Sequence, residues 1–315
     1  MHAHGPFGRR ECDYHLYVPP GLTNNHRVPL LVMLHGCGQD ARAFAEGTRM
    51  NNLADVHRFI VLYPEQSRQA NLLRCWRWFD RETVNGAGEA ALILRLVRNI
   101  VAHHPVDRSR VYVAGISAGG AMANVLAFCY GATFAACAIA SGVMYRAADS
   151  MLEAAAVLRK GSRTRPQAAA SEAARRAPTY VGFVPALVIH GDSDSTVHPL
   201  NAEQIIEQFQ AFAELTDTAS APLVASEERR VTSAGRAYRQ YDYLRDNRVL
   251  LRKVIVEGMG HAWSGGDARH RFNDASGPNA SQLIWDFVSG FRRTSRRQLR
   301  FRTRWSLLAR RICQR

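Results

Sequence analysis

Three short segments of this 315-residue chain carry residue types that together can perform acyl transfer. Gly115-Ile116-Ser117-Ala118-Gly119 sets a serine among small residues, after a β-branched apolar run and before a helix-forming stretch over Ala118–Tyr130. Small flanking residues permit the sharp strand-to-helix turn that lifts a serine hydroxyl above a sheet. The same pentapeptide also fits a glycine-rich loop holding phosphate at a helix N-terminus. The rest of the chain has to decide between them. A serine nucleophile needs a base, and the base needs an acid to orient it. The apolar run from Ala186 ends in the turn Gly191-Asp192-Ser193-Asp194, and the run from Val254 ends in Gly258-Met259-Gly260-His261.

Ser117 precedes Asp194 by 77 residues and Asp194 precedes His261 by 67, which leaves room for a strand and a helix in each gap. The order serine, acid, histidine is that of α/β-hydrolases, not of chymotrypsin-like or subtilisin-like enzymes. His261 directly follows an apolar run, whereas His270 lies in a polar stretch, which favours His261 as the base. Spacing alone leaves Asp192 and Asp194 in competition for the acid, and either also suits a helix N-cap or an Asx-turn. A fourth segment precedes the serine: Leu31-Val32-Met33-Leu34 runs into His35-Gly36-Cys37-Gly38-Gln39. A turn there can offer the backbone N–H of Cys37, which with that of Ala118 would hold the oxyanion of a tetrahedral intermediate. Cys37 also reads as a small core residue, and the two roles are compatible because the backbone does the chemistry.

Such residues need rigid elements to position them. Strands are expected at Tyr14–Val18, Leu30–Leu34, Phe59–Tyr63, Arg110–Ala114, Ala136–Ala140, Ala186–His190 and Leu250–Val256. Several are apolar throughout, as strands covered on both faces are. Helical spacing of apolar residues marks Gly88–His103, Asn201–Leu215 and Asn279–Phe291. Alternating strands and helices predict a single α/β domain over 1–291, a doubly wound and mostly parallel sheet. Residues 145–180, rich in Ala and Arg, read as an inserted helical segment, either shaping an active-site mouth or lying on the surface. His103-His104 suits a helix C-terminus favoured by the dipole.

Composition narrows the function classes. At 47% hydrophobic and 22% charged residues the chain is globular. Its longest apolar candidate, Phe134–Met144, is interrupted by Ser141 and Gly142 and falls short of the roughly 18 residues of a membrane span. The net charge of +14 is concentrated at one end, where residues 292–315 hold ten Arg and no Asp or Glu. That tail reads as a solvated arm, an out-of-frame product of a GC-rich gene, or a basic amphipathic helix for anionic surfaces. The six cysteines form no CxxC pair, and with no HExxH motif or Cys/His cluster neither a metal site nor a cofactor is expected. The N-terminus lacks the apolar region of a secretory signal, which taken alone points to the cytoplasm.

The motifs LHGCGQ, YPEQS with Asn71 and CWRWFD, VYVAGISAGGAMA, HGDSDSTVHP and GHAWSGG, in this order between about Tyr14 and Phe291, resemble the PHB-depolymerase-type esterases. These α/β-hydrolases are related to feruloyl and acetylxylan esterases. The resemblance implies Ser117 as nucleophile, Asp194 as acid, His261 as base and an oxyanion hole at Cys37 and Ala118. It further implies a cofactor-free serine esterase for short-chain carboxylic esters, such as hydroxybutyrate oligomers or polyester, with feruloyl or acetylxylan esters as alternatives. Secreted relatives make an extracellular location the alternative to the cytoplasm. A peptidase or acyltransferase is the nearest other chemistry, and a catalytically idle fold binding anionic surfaces through its tail is the reading from another class. No specific nucleic acid is expected as a partner, and the oligomeric state is not legible. Trp76, Trp78 and Trp263 are candidates to line the substrate pocket, with core packing as the alternative. A disulfide between Cys37 and Cys75, bracing the oxyanion loop, is a hypothesis to be weighed against two free thiols.

Overall fold

Strand residues that alternate between two apolar environments need helices on both faces of their sheet. The computed structural model, which describes residues 12–23, 26–176, 183–216 and 221–293, has that arrangement. Its strands are β1 (Tyr14–Tyr17), β2 (Val28–Leu34), β3 (Ile60–Pro64), β4 (Val106–Ile116), β5 (Ala136–Ala140), β6 (Ala186–Gly191), β7 (Val224–Ala225), β8 (Arg229–Ser233), β9 (Arg236–Arg245) and β10 (Arg248–Val256). They form one sheet in the order β1-β3-β2-β4-β5-β6-β10-β9-β7, with β8 also paired to β9. From β3 to β10 the pairs are parallel. β1 at one edge, and β7, β8 and β9 at the other, pair antiparallel.

Along β2, Leu30, Val32 and Leu34 join one core and Leu31 and Met33 the other. The first core is closed by α4 (Gly88–His103), α5 (Ala118–Cys129) and α8 (Leu200–Thr216). The second is closed by α1 (Ala41–Thr48), α2 (Met50–His57) and α9 (Ala280–Val288). A one-turn helix, α3 (Arg81–Val84), precedes α4. The expected insertion contains α6 (Met151–Lys160) and α7 (Pro166–Arg176), which pack on α8 through small residues such as Ala154, Ala169 and Ala173. Asp40, Ser150 and Asn279 cap the N-termini of α1, α6 and α9 through their side-chain oxygens. Residues 177–180 of the insertion and 294–315 of the Arg-rich tail lie outside the described residues.

The antiparallel flank was not expected. β9 reads RAYRQYDYLR, and its charged residues disguise a half-buried strand. The buried Asp242 is satisfied by Arg252 at 2.6 Å and Arg229 at 3.0 Å. The turn into β10 passes through Asp246 and Asn247, both at positive φ, as a two-residue hairpin loop of type I′ requires.

Register then fixes where the loops emerge. Leu34 pairs with Gly115, Ile116 with Ala140, Ala140 with Ile189, and Gly191 with Val256. The carboxyl ends of β2, β4, β6 and β10 are therefore level, and the four expected chemical segments leave the sheet along one edge.

Candidate active site

Ser117 stands between the last residue of β4 and the first of α5 with φ 58° and ψ −126°, a region that non-glycine residues rarely occupy. The turn is held by its N–H donating to the carbonyl of Ala140 at 2.9 Å, and by Ala121 N–H donating to the Ser117 carbonyl at 2.9 Å. The surrounding glycines are demanded by close backbone approach. A Cβ on Gly115 would stand 2.4 Å from the Gly119 carbonyl oxygen, and one on Gly119 would stand 2.1 Å from that of Leu34. Ala118 opens a nearly wholly buried helix, so its N–H points with the positive end of the dipole.

Asp194 and His261 are brought together by the ends of β6 and β10. The Nδ1–H of His261 donates to Asp194 Oδ2 at 2.7 Å, which leaves Nε2 as the basic nitrogen. Asp194 Oδ1 accepts the N–H groups of Thr196 at 2.9 Å and Val197 at 2.8 Å. Burial of this carboxyl works to raise its pKa, but His261, Val197 and His190 together outweigh it and hold the pKa below the ordinary value. The turns carrying the two residues press on each other: a Cβ on Gly191 would fall 2.0 Å from the Met259 carbonyl oxygen. Asp192 does a different job, accepting Gly258 N–H at 2.7 Å. His270 stands apart, 3.7 Å from Glu46.

The turn after β2 leans on the serine, since a Cβ on Gly36 would lie 3.3 Å from Ser117 Cβ. Gly36 N–H is committed to Gln39 Oε1 at 2.9 Å and Gly38 N–H to the Leu73 carbonyl at 2.7 Å. Cys37 lies between them and is joined by a disulfide to Cys75. This ties the turn to the loop 66–80, which Asn71 shapes by accepting the N–H groups of Leu73 at 2.9 Å and Cys75 at 3.3 Å. Arg74 adds ion pairs to Glu65 at 3.1 Å and Asp40 at 3.4 Å.

The three tryptophans sit in the packed interior. Trp76 and Trp263 are each 1% exposed and Trp78 is 5% exposed, so none presents an open wall. Trp76 donates its Nε1–H to the His35 carbonyl at 3.1 Å, and Trp263 donates to Ser281 Oγ at 3.1 Å. Their indoles brace the loops from beneath.

Sequence reasoning did not single out the residues that join these loops. Gln39, besides holding Gly36, donates to the Arg271 carbonyl at 3.3 Å and so links the turn after β2 to the loop after His261. Glu89 accepts from Gln66 Nε2 and Arg77 N–H at 2.7 Å each, and burial raises its pKa. The buried His35 accepts Gln66 N–H on Nε2 at 3.1 Å and donates from Nδ1 to the Gly36 carbonyl at 2.8 Å. Among the described residues no cluster of three or more His, Cys, Asp or Glu could hold a metal, and no helix is long and apolar enough to cross a membrane.

Known proteins resemble this chain in sequence and in fold. A poly(3-hydroxyalkanoate) depolymerase C from Paucimonas lemoignei is 36% identical over 247 residues, which cover 78% of this chain and 57% of that protein. A probable acetylxylan esterase A from Aspergillus flavus is 32% identical over 203 residues, covering 62% of this chain and 64% of that protein. The chain thus spans less than two thirds of the length of these relatives. An acetyl xylan esterase structure from Aspergillus awamori aligns with a TM-score of 0.64 at 24% identity, over 79% of this chain and 89% of that one, and shares the α/β-hydrolase fold. The family model for esterase PHB depolymerase matches residues 12–233, which include Ser117 and Asp194 and stop before His261. By that match, the chain belongs to the esterase PHB depolymerase family.

Proposed function

We propose that the chain is a serine esterase that hydrolyses short-chain carboxylic esters without a cofactor. Ser117 Oγ attacks the ester carbonyl carbon while His261 Nε2 takes its proton, and Asp194 holds the resulting imidazolium. The N–H groups of Cys37 and Ala118 stabilise the oxyanion, with the N-terminal dipole of α5 behind them. Collapse expels the alcohol, which leaves with the proton from His261. Water, deprotonated by His261, then attacks the acyl-enzyme, and the acid leaves as the proton returns to Ser117 Oγ. The observation that carries this reading is the 2.7 Å hydrogen bond of His261 to Asp194 at the sheet edge where Ser117 occupies its strained turn. Backbone strain of this kind persists only where the surroundings enforce it, and it collects at functional sites.

Hydroxyalkanoate oligomers or polyester are the favoured substrates, because the depolymerase aligns over the greater share of the chain. The alternative substrates are acetylxylan or feruloyl esters. The loop 66–80 and the helical segment 145–176 would shape the mouth. The Cys37–Cys75 disulfide favours an oxidising compartment, hence the extracellular alternative. A fluorophosphonate probe together with hydrolysis of a 3-hydroxybutyrate trimer tests the reading, with p-nitrophenyl butyrate as control and Ser117→Ala as blank. Labelling and cleavage of both esters, lost by several orders of magnitude in the variant, is the expected result. Cleavage of the control alone would keep the triad and move the substrate to the polysaccharide esters. A loss below about tenfold on Ser117→Ala would reject the nucleophile.

A further inference from the structure

At the end of the sheet opposite the candidate active site, a cavity of about 330 Å³ opens between α4, the start of β4 and the segment after α9. Its volume falls within the range of about 300–1,000 Å³ usual for small-molecule sites. Val111 in its lining and Ser117 are six residues apart around the same strand, about 20 Å at strand rise, so the two places do not overlap.

The lining has two parts. Val97, Val101 and Val111 make an apolar floor, and Arg98, Arg108 and Arg293 surround it together with Thr133. No carboxylate lines this cavity among the described residues. The nearest acid in sequence, Asp107, is spent elsewhere: it binds Arg110 at 2.7 Å, Ser109 Oγ at 2.7 Å and Arg292 at 3.3 Å. Arg293 is fixed through its N–H to the Ser109 carbonyl at 2.9 Å and through Nη2 to the Arg108 carbonyl at 3.2 Å. Its Nε is buried with no hydrogen-bond partner among the described residues. Burial also lowers the pKa of this guanidinium. Three guanidinium groups lining one cavity, one of them with an unused buried donor, suit an anion, and their planar forks suit a carboxylate. An apolar floor calls for an alkyl chain.

We infer that this cavity is a second ligand site, taking a short-chain alkyl carboxylate with its head group among Arg98, Arg108 and Arg293 and its chain on the three valines. On the esterase reading above, that ligand class includes the acid product, so the site would sense what the catalytic centre releases.

The test is calorimetric titration of hexanoate into the full chain after fluorophosphonate treatment, which removes Ser117 from the measurement wherever it labels. One saturable site is expected. It should weaken at least about tenfold in Arg98→Ala/Arg108→Ala, as expected for loss of charge-assisted hydrogen bonds. Both arginines are exposed, so the variant should keep its melting temperature. Val101→Glu, which places a carboxylate on the floor, should weaken binding to a similar degree and serves as an independent variant. Hexanol, lacking the charge, and inorganic phosphate, lacking the chain, should each bind at least about tenfold more weakly. Absence of saturable hexanoate binding, or indifference to both variants, would overturn the site. Phosphate binding as tightly as hexanoate would overturn the ligand class. Failure of the probe to label would bear only on Ser117, because the titration does not depend on catalysis.

Discussion

His261 Nδ1 stands 2.7 Å from Asp194 Oδ2, while Asp192, two residues away, turns to Gly258 N–H at 2.7 Å and to Arg239 at 3.6 Å. The two aspartates of one turn thus have separate partners, Asp194 holding His261 and Asp192 the turn that precedes it. Asp194→Asn keeps an oxygen for Thr196 and Val197 but offers an NH₂ group to His261, forcing the wrong tautomer. It should lower kcat on p-nitrophenyl butyrate by roughly 10³–10⁴-fold. Asp192→Asn retains the Gly258 contact and should stay within about tenfold of wild type. A larger loss at Asp192 than at Asp194 would reverse the assignment.

The elbow should tolerate no added carbon at Gly119, where a Cβ would meet the carbonyl oxygens of Leu34 at 2.1 Å and His35 at 2.5 Å. Both obstacles are backbone, so relief requires moving β2 and the turn that follows it together. Gly119→Ala should therefore cost about 3 kcal/mol or more in urea unfolding. At Gly38 nothing lies within 4 Å of an added Cβ, and only its φ of +74° opposes a side chain. Gly38→Ala should cost about 1–2 kcal/mol. Equal losses at the two positions would mean that crowding at the elbow is not what selects glycine.

The Cys37–Cys75 disulfide closes a loop of 38 residues and joins the turn after β2 to the segment carrying Asn71 and Arg74. Chain-entropy reasoning gives such a cross-link about 3–4 kcal/mol. The double variant Cys37→Ser/Cys75→Ser should lose roughly that much in chemical denaturation. It should also lose turnover, because without the cross-link the turn that aims the proposed Cys37 N–H donor is no longer held. Unchanged stability, or two freely alkylated thiols at these positions in the unreduced protein, would refute the brace.

The parts of this fold that could be read in advance are those whose physics is local. Ala136–Ala140 was legible because a strand buried on both faces is apolar at every position, and Gly88–His103 because one helical face repeats every three or four residues. β9 was not, because its buried charges make sense only beside Arg229 and Arg252 on other strands. The site divides along the same line. Ser117 and His261 follow recognisable strands, so their positions were readable. Gln39 works through contacts to Gly36 and to Arg271, 232 residues away, which no local pattern reports. Trp76 and Trp263 look like pocket walls in a sequence rich in aromatics. Their burial and their N–H partners assign them to support.

His35 should make the protein sensitive to mild acid. Burial pushes its pKa down from 6.5 to about 4, against a smaller upward pull from the Gly36 carbonyl. Its folded pKa lies below the unfolded one, so the unfolded chain binds more protons in between. The contribution is fully present above about pH 6.5 and is lost as pH falls toward 4. A shift of this size corresponds to about 3 kcal/mol. His190, wholly buried beside Asp194, is lowered by burial too and acts in the same direction, whereas Glu89, raised by burial, acts in the opposite one. A variant that removes only the His35 titration separates its share. In His35→Gln the side-chain oxygen can still accept Gln66 N–H, while the titrating imidazole is gone. Stability measured by urea unfolding from about pH 7 down to pH 4 should fall by about 3 kcal/mol more in wild type than in His35→Gln. Parallel pH profiles for the two proteins would show that His35 protonates in the folded state as readily as in the unfolded chain.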